Sequence, residues 1–224
     1  MNYKEILDRL QSLANPAAVE GMARYGIRPA NVLGISIPHL RKLAKEIGKS
    51  HELALQLWAS GIHEARILAC FIDVPRSVTE AQMEEWVKDF DSWDVCDQCC
   101  GNLFDRTEFA YRKAVEWSSR EEEFVKRAAF ALIAWLAVHD KKVTDDAFLP
   151  FLPIIKREAV DERNFVKKAI NWALRQIGKR NPQLNKAAIG ISKEIQEIDS
   201  PSARWIAKDA LRELTSEKVQ ERLK

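Results

Sequence analysis

Almost every stretch of this chain places its apolar residues three and four apart, and no stretch alternates at period two for long enough to build a sheet. That spacing gathers apolar side chains on one face of a helix. Ile6, Leu10 and Leu13 form one such stripe. Leu40, Leu43, Ala44 and Ile47 form another, entered through Ser36-Ile37-Pro38 with the proline in the tolerated first turn. Leu53, Leu57 and Trp58 continue the pattern, and Ala65, Leu68, Ala69 and Ile72 run up to Pro75. Thr79, with Gln82 three residues on, has the spacing of a capping box. Further helical stretches follow over 93–104, 109–117, 124–138, 147–160, 162–178, from Pro182, and over 201–214.

About a dozen helices joined by short links predict an all-α chain of stacked antiparallel helix pairs, a HEAT-like repeat solenoid with a concave inner face able to cradle a duplex. No motif recurs at a fixed period, so any repeat is degenerate. No linker interrupts the chain, and residues 1–224 are expected to form a single domain. Eight glycines and eight prolines in 224 residues leave few breakers, against a turn-rich β protein or disorder. No window of 18 uncharged apolar residues predicts a transmembrane helix. The opening Met1-Asn2-Tyr3-Lys4-Glu5-Ile6 is unlike a secretory signal, which predicts a cytoplasmic protein without membrane association.

Cys70, Cys96, Cys99 and Cys100 are the four cysteines. Cys96 and Cys99 have CxxC spacing, but no second pair and no nearby histidine complete a tetrahedral site. They are expected to be small buried thiols in a reducing compartment, with no metal and no cofactor. Net charge is only +2, unevenly spread: residues 124–180 carry 12 Lys and Arg against 6 Asp and Glu, leaving a net −4 elsewhere. A basic segment of this kind can bind a polyanion.

Three constellations carry chemistry. Trp172 borders the apolar face of the 162–178 helix, and Lys168, Arg175 and Lys179 continue its stripe. A tryptophan beside such cations can stack on a sugar or base while they meet phosphate; an ordinary core-edge tryptophan beside solvated lysines has the same spacing. Ser92-Trp93-Asp94-Val95-Cys96-Asp97 reads as a helix start with Ser92 as N-cap. Trp93 and Asp97, four apart, then share a face. An anion and a π-face are what a developing oxocarbenium ion needs; a core tryptophan and a solvated acid fit equally. Arg127 is expected to project off the apolar face of its helix beside the small Ala131 and Ala134, where it could meet a ligand's backbone or merely solvent.

Taken together, these segments resemble the HEAT-repeat DNA alkylation repair family of alkylpurine DNA glycosylases, the AlkD type, over most of the chain. The resemblance is carried by Met22-Ala23-Arg24-Tyr25, Leu33-Gly34-Ile35-Ser36-Ile37-Pro38 with Arg41, and Leu57-Trp58 with Glu64 and Arg66. It continues in Trp93-Asp94-x-x-Asp97, Arg127-Ala128-Ala129, and Lys168-Ala169-Ile170-x-Trp172-x-Leu174-Arg175 with Asn181-Pro182. It implies a DNA glycosylase that hydrolyses the N-glycosidic bond of cationic N3- or N7-alkylated purines in duplex DNA without flipping the base; a monomer is the default expectation for a helical cradle. Asp97 would be the catalytic carboxylate, and Trp93 and Trp172 the aromatic walls against deoxyribose. Arg127 would hold backbone phosphate, Lys168, Arg175 and Lys179 would add phosphate contacts, and Tyr25 would touch DNA. Where such glycosylases are hydroxyl-rich, this chain has Val95, Cys96, Cys99 and Cys100. Two other functions fit the same residues: a non-catalytic module binding bent or branched DNA, and a protein-interaction scaffold.

Overall fold

The computed structural model describes residues 1–27 and 30–223, which form two compact units, Met1–Thr107 and Glu108–Lys224. Among the described residues there are fourteen α-helices and no strand. Unit 1 holds α1 (Tyr3–Ser12), α2 (Pro16–Arg24), α3 (Ile37–Ile47), α4 (His51–Ala59), α5 (His63–Ile72), α6 (Glu80–Lys88) and α7 (Trp93–Asn102). Unit 2 holds α8 (Ala110–Ser118), α9 (Glu123–His139), α10 (Phe151–Glu158), α11 (Asn164–Gly178), α12 (Pro182–Gln196), α13 (Pro201–Leu214) and α14 (Glu217–Arg222). None is long and apolar enough to cross a membrane.

Local chemistry explains where the helices begin. Asn2, Asn15, Ser50, Thr79, Asn181 and Ser200 each accept a backbone N–H of the turn they precede. Pro16, Pro38, Pro182 and Pro201 occupy first-turn positions, where a missing N–H costs nothing. At Thr79 only half of the expected box forms. The threonine accepts from the Gln82 amide, but the Gln82 side chain donates to the buried carboxylate of Asp73 instead of turning back.

Helices pack as pairs and then stack. In unit 1, α4 packs on α5, and α5 lies against α3 and α7. In unit 2, α8 packs on α9 and α12 on α13, while α11 contacts both α9 and α13. The core of unit 1 centres on Trp58 and Trp86, stacked at 4.0 Å, with Phe90 and Phe104 around them. In unit 2, Ala128, Ala129, Ala131 and Ala134 are fully buried on α9, and their small side chains let its neighbours approach closely.

The repeat period hidden in the sequence is explicit in the hydrogen bonds between successive layers. In unit 1 the step is 31 residues, as in Leu33–Glu64, Trp58–Asp89 and His63–Asp94. In unit 2 it is 38 residues, as in Arg127–Phe165, Lys156–Glu194, Glu162–Ser200, Asn171–Asp209 and Arg175–Glu213.

Candidate functional site

Trp93 and Asp97 stand on the first two turns of α7, four residues apart and therefore on one face; both are half-buried. The indole N–H of Trp93 donates to the Tyr25 carbonyl at 3.0 Å. The Tyr25 ring, at the end of α2, is 73% exposed. Unit 1 thus brings three of the residues singled out in the sequence to one place.

Two residues that sequence reasoning did not single out for the site hold it there. His63 and Glu64 are consecutive at the start of α5, both buried. Glu64 accepts the backbone N–H groups of Leu33, Gly34 and Ile35 at 2.8, 2.6 and 3.2 Å. This clamps the loop between α2 and α3. Gly34 has φ +78°, and a Cβ there would lie 2.3 Å from the Asn15 carbonyl oxygen, at the start of the helix that ends in Tyr25. Only glycine meets both demands. His63 Nε2 bonds Asp94 Oδ2 at 2.8 Å, fixing the residue next to Trp93. Burial pushes the His63 imidazole toward neutrality, but the Asp94 hydrogen bond and charge outweigh it and raise its pKa. Burial likewise pushes the Asp94 carboxyl up, and its bond to His63 more than offsets this, leaving it below its ordinary value. Asp94 is a partner of histidine, so Asp97 is the second acid of the helix and the one on the Trp93 face. Ser92 sits at the N-cap position but makes no capping bond and is fully buried.

Three of the four cysteines stand on the same helix, and Cys100, three residues after Asp97, falls on its side. Cys70, Cys96, Cys99 and Cys100 are fully buried free thiols. Burial raises the Cys99 and Cys100 thiols well above the ordinary range, so they are not thiolates at neutral pH. Among the described residues no group of three or more His, Cys, Asp or Glu side chains could hold a metal ion.

In unit 2, Trp172 is half-buried on α11 and meets Trp135 of α9 edge to face, with ring centroids 5.3 Å apart. Trp135 in turn stacks on His139 at 4.8 Å. Trp135 was legible only as one more apolar residue of α9. Lys168 is exposed. Arg175 and Lys179 both reach Glu213 on α13, with Lys179 Nζ at 2.7 Å from its carboxylate. Burial raises the Glu213 carboxyl, but hydrogen bonds from Lys179 and Arg175 dominate and hold it below its ordinary value. Arg127 differs from expectation. It does not stand off the apolar face but is buried, because Nη1 crosses to the next layer and donates to the Phe165 carbonyl at 2.6 Å.

A family model described as DNA alkylation repair enzyme matches residues 6–214. An uncharacterised protein of Listeria innocua serovar 6a, Lin0241, is 21% identical over 202 residues, covering 88% of each chain. A solved structure described as a new family of proteins related to the HEAT-like repeat DNA glycosylases, with affinity for branched DNA structures, superposes with a TM-score of 0.77. It is 20% identical and covers 95% of both chains. The likeness establishes an all-α, HEAT-like repeat fold.

Proposed function

The chain belongs to the DNA alkylation repair enzyme family, and on that premise we propose that it is a DNA glycosylase acting on cationic N3- or N7-alkylated purines in duplex DNA. The observation that carries this reading is the Trp93–Asp97 pair on one face of α7. The carboxylate and the indole lie four residues apart on that face, and the indole N–H donates to the Tyr25 carbonyl.

The chemistry follows from the lesion. An alkylated purine cation leaves as a neutral base, so no strong general acid is needed. The barrier lies in the positive charge that grows on the sugar. Asp97 opposes that charge and orients the attacking water. The Trp93 indole adds cation–π stabilisation on the order of 1–2 kcal/mol when desolvated, and each 1.36 kcal/mol is about tenfold in rate. Trp172 and the exposed Lys168 are proposed as DNA contacts on unit 2. Arg127, buried on the Phe165 carbonyl, acts first by fixing α9 to α11. Arg175 and Lys179 are half-neutralised by Glu213 and contribute less to phosphate binding than their charge implies. His63 and Glu64 are positioning residues.

The test is release of 7-methylguanine from methylated duplex DNA by the purified protein beside Asp97→Asn. The native protein should release the base, and the variant should lose about 100-fold or more. Release of neutral 1,N6-ethenoadenine at a comparable rate would contradict the mechanism. A second reading, a non-catalytic protein recognising DNA structure, is favoured by the buried thiols of α7 and by the branched-DNA affinity of the related structure. It predicts salt-sensitive DNA binding without base release from either protein.

A further inference from the structure

The C-terminal ends of α3, α5 and α7 surround a cavity of about 510 Å³ within unit 1, which Asn102 lines at the opposite end of α7 from Trp93. Its lining is Arg41, Ala44, Lys45, Gly48, Lys49, Phe71, Asn102 and Arg106, four cations and no carboxylate. The bland account is that cations at helix C-termini answer the carbonyls there. It covers Lys49, whose ammonium donates to the Phe71 and Asp73 carbonyls at 2.9 and 2.8 Å. It does not cover the others. Arg41 lies over the Phe71 ring, 4.9 Å from its centroid, and reaches the neutral Asn102 Oδ1 at 3.5 Å. Arg106 meets a carboxylate only in Asp105, its own neighbour, at 3.9 Å; the Asp105 side chain is fully buried while that of Arg106 is 55% exposed. Arg41, Lys45, Lys49 and Arg106 all face solvent. Burial and then the Arg106 charge press the Lys49 ammonium toward deprotonation, against the opposing charge of Asp73.

We propose that this cavity is a nucleotide subsite, in which Arg41, Lys45 and Arg106 take a phosphate and the apolar floor of Ala44 and Phe71 takes the sugar or base. The volume is several times what inorganic phosphate needs and falls in the ordinary range for small-molecule sites. A phosphate there would relieve the crowding of four cations, and an apolar floor beside the charges selects a ligand with one anionic and one flat or apolar part. That chemistry belongs to a free nucleotide and to a nucleotide of a DNA strand alike.

Fluorescence anisotropy on the full chain tests it, with a labelled ten-residue thymidine oligonucleotide as probe and dAMP and inorganic phosphate as competitors. The native protein should bind the oligonucleotide. Lys45→Glu and Arg106→Glu should each weaken binding about tenfold while leaving the melting temperature in place, since both side chains are exposed. Arg76→Glu, the same charge change at an exposed residue outside the cavity, should weaken it far less. Displacement by dAMP well below the phosphate concentration needed would identify a free nucleotide as sufficient; displacement by neither, with the variants still defective, would identify the strand. No binding by the native protein, or an equal loss in Arg76→Glu, would overturn the proposal. The 7-methylguanine assay is independent of it, because Asp97 is not part of this cavity.

Discussion

The cations on α11 of unit 2 and those around the unit 1 cavity are treated in opposite ways, while Arg66, elsewhere in unit 1, lies 3.7 Å from both Asp89 and Asp91. On α11 of unit 2, Arg175 and Lys179 lean on Glu213, and Arg175 also lies 3.7 Å from Asp209. Lys126 pairs with Glu158, Lys156 with Glu194 and Arg163 with Asp161. In unit 1, Arg41 and Lys49 face neutral partners, and Arg106 has only a long contact to its neighbour. Helix length differs between the two places, although the paired Lys156 stands on the eight-residue α10. Helices α1–α7 run 9–11 residues, whereas α9, α11, α12 and α13 run 17, 15, 15 and 14. The longer helices step by 38 residues and carry a ladder from α11 to α13, Asn171–Asp209 followed one turn later by Arg175–Glu213. The shorter helices of unit 1 carry steps of their own in Trp58–Asp89 and His63–Asp94, but the cations near the ends of α3 and α7 gather around a cavity. Segment charge therefore misleads: the run that is most basic in sequence is the one whose cations are most often matched, in part by acids that lie outside it.

Substitutions in each unit sharpen this contrast. The largest effect belongs to Gly34→Ala. The added Cβ meets backbone rather than a movable side chain, at a positive φ, and the Glu64 clamp cannot relax around it. A loss of about 3 kcal/mol or more is expected, read as a fall in the denaturant midpoint. If the protein tolerates alanine without loss, the clamp is not what sets the short step of unit 1.

Glu213→Gln should come next. Removing the shared carboxylate costs about 1 kcal/mol in stability, since the groups are only half-buried. It also frees Arg175 and Lys179. DNA binding should then tighten several-fold at low salt, and the slope of log affinity against log salt should steepen by about 2. An unchanged slope would mean that α11 does not meet phosphate even when unmasked.

The smallest effect is a pH dependence in unit 1. The raised pKa of His63 contributes stability that is fully present below its ordinary 6.5 and fades as pH rises through the folded value. The depressed pKa of Asp94 contributes stability that is present above its ordinary 3.8 and fades as pH falls through the folded value. The pair therefore helps most in mildly acid solution. The melting temperature should decline modestly as pH rises past neutrality, and His63→Gln should flatten that decline. A native profile no different from that of the variant would remove the His63–Asp94 bond from the account of what holds Trp93.

The all-α class and most of its helices follow from short-range pattern, because apolar spacing, caps at Asn2, Ser50 and Thr79, and first-turn prolines act within a few residues. The Trp93–Asp97 face is equally local, being two positions four apart on one helix. The sequence alone could not show the 31- and 38-residue steps, because each depends on which polar groups meet after layers stack, and different residues serve in each layer. Nor could it show that Arg127 would be buried, that Trp135 would meet Trp172, or that Glu64 would close on a loop 30 residues earlier. Charge was the least legible of all. A cation's effect on a ligand depends on its nearest acid in space, and only packing decides whether that acid, such as Glu213 beside Arg175, is there.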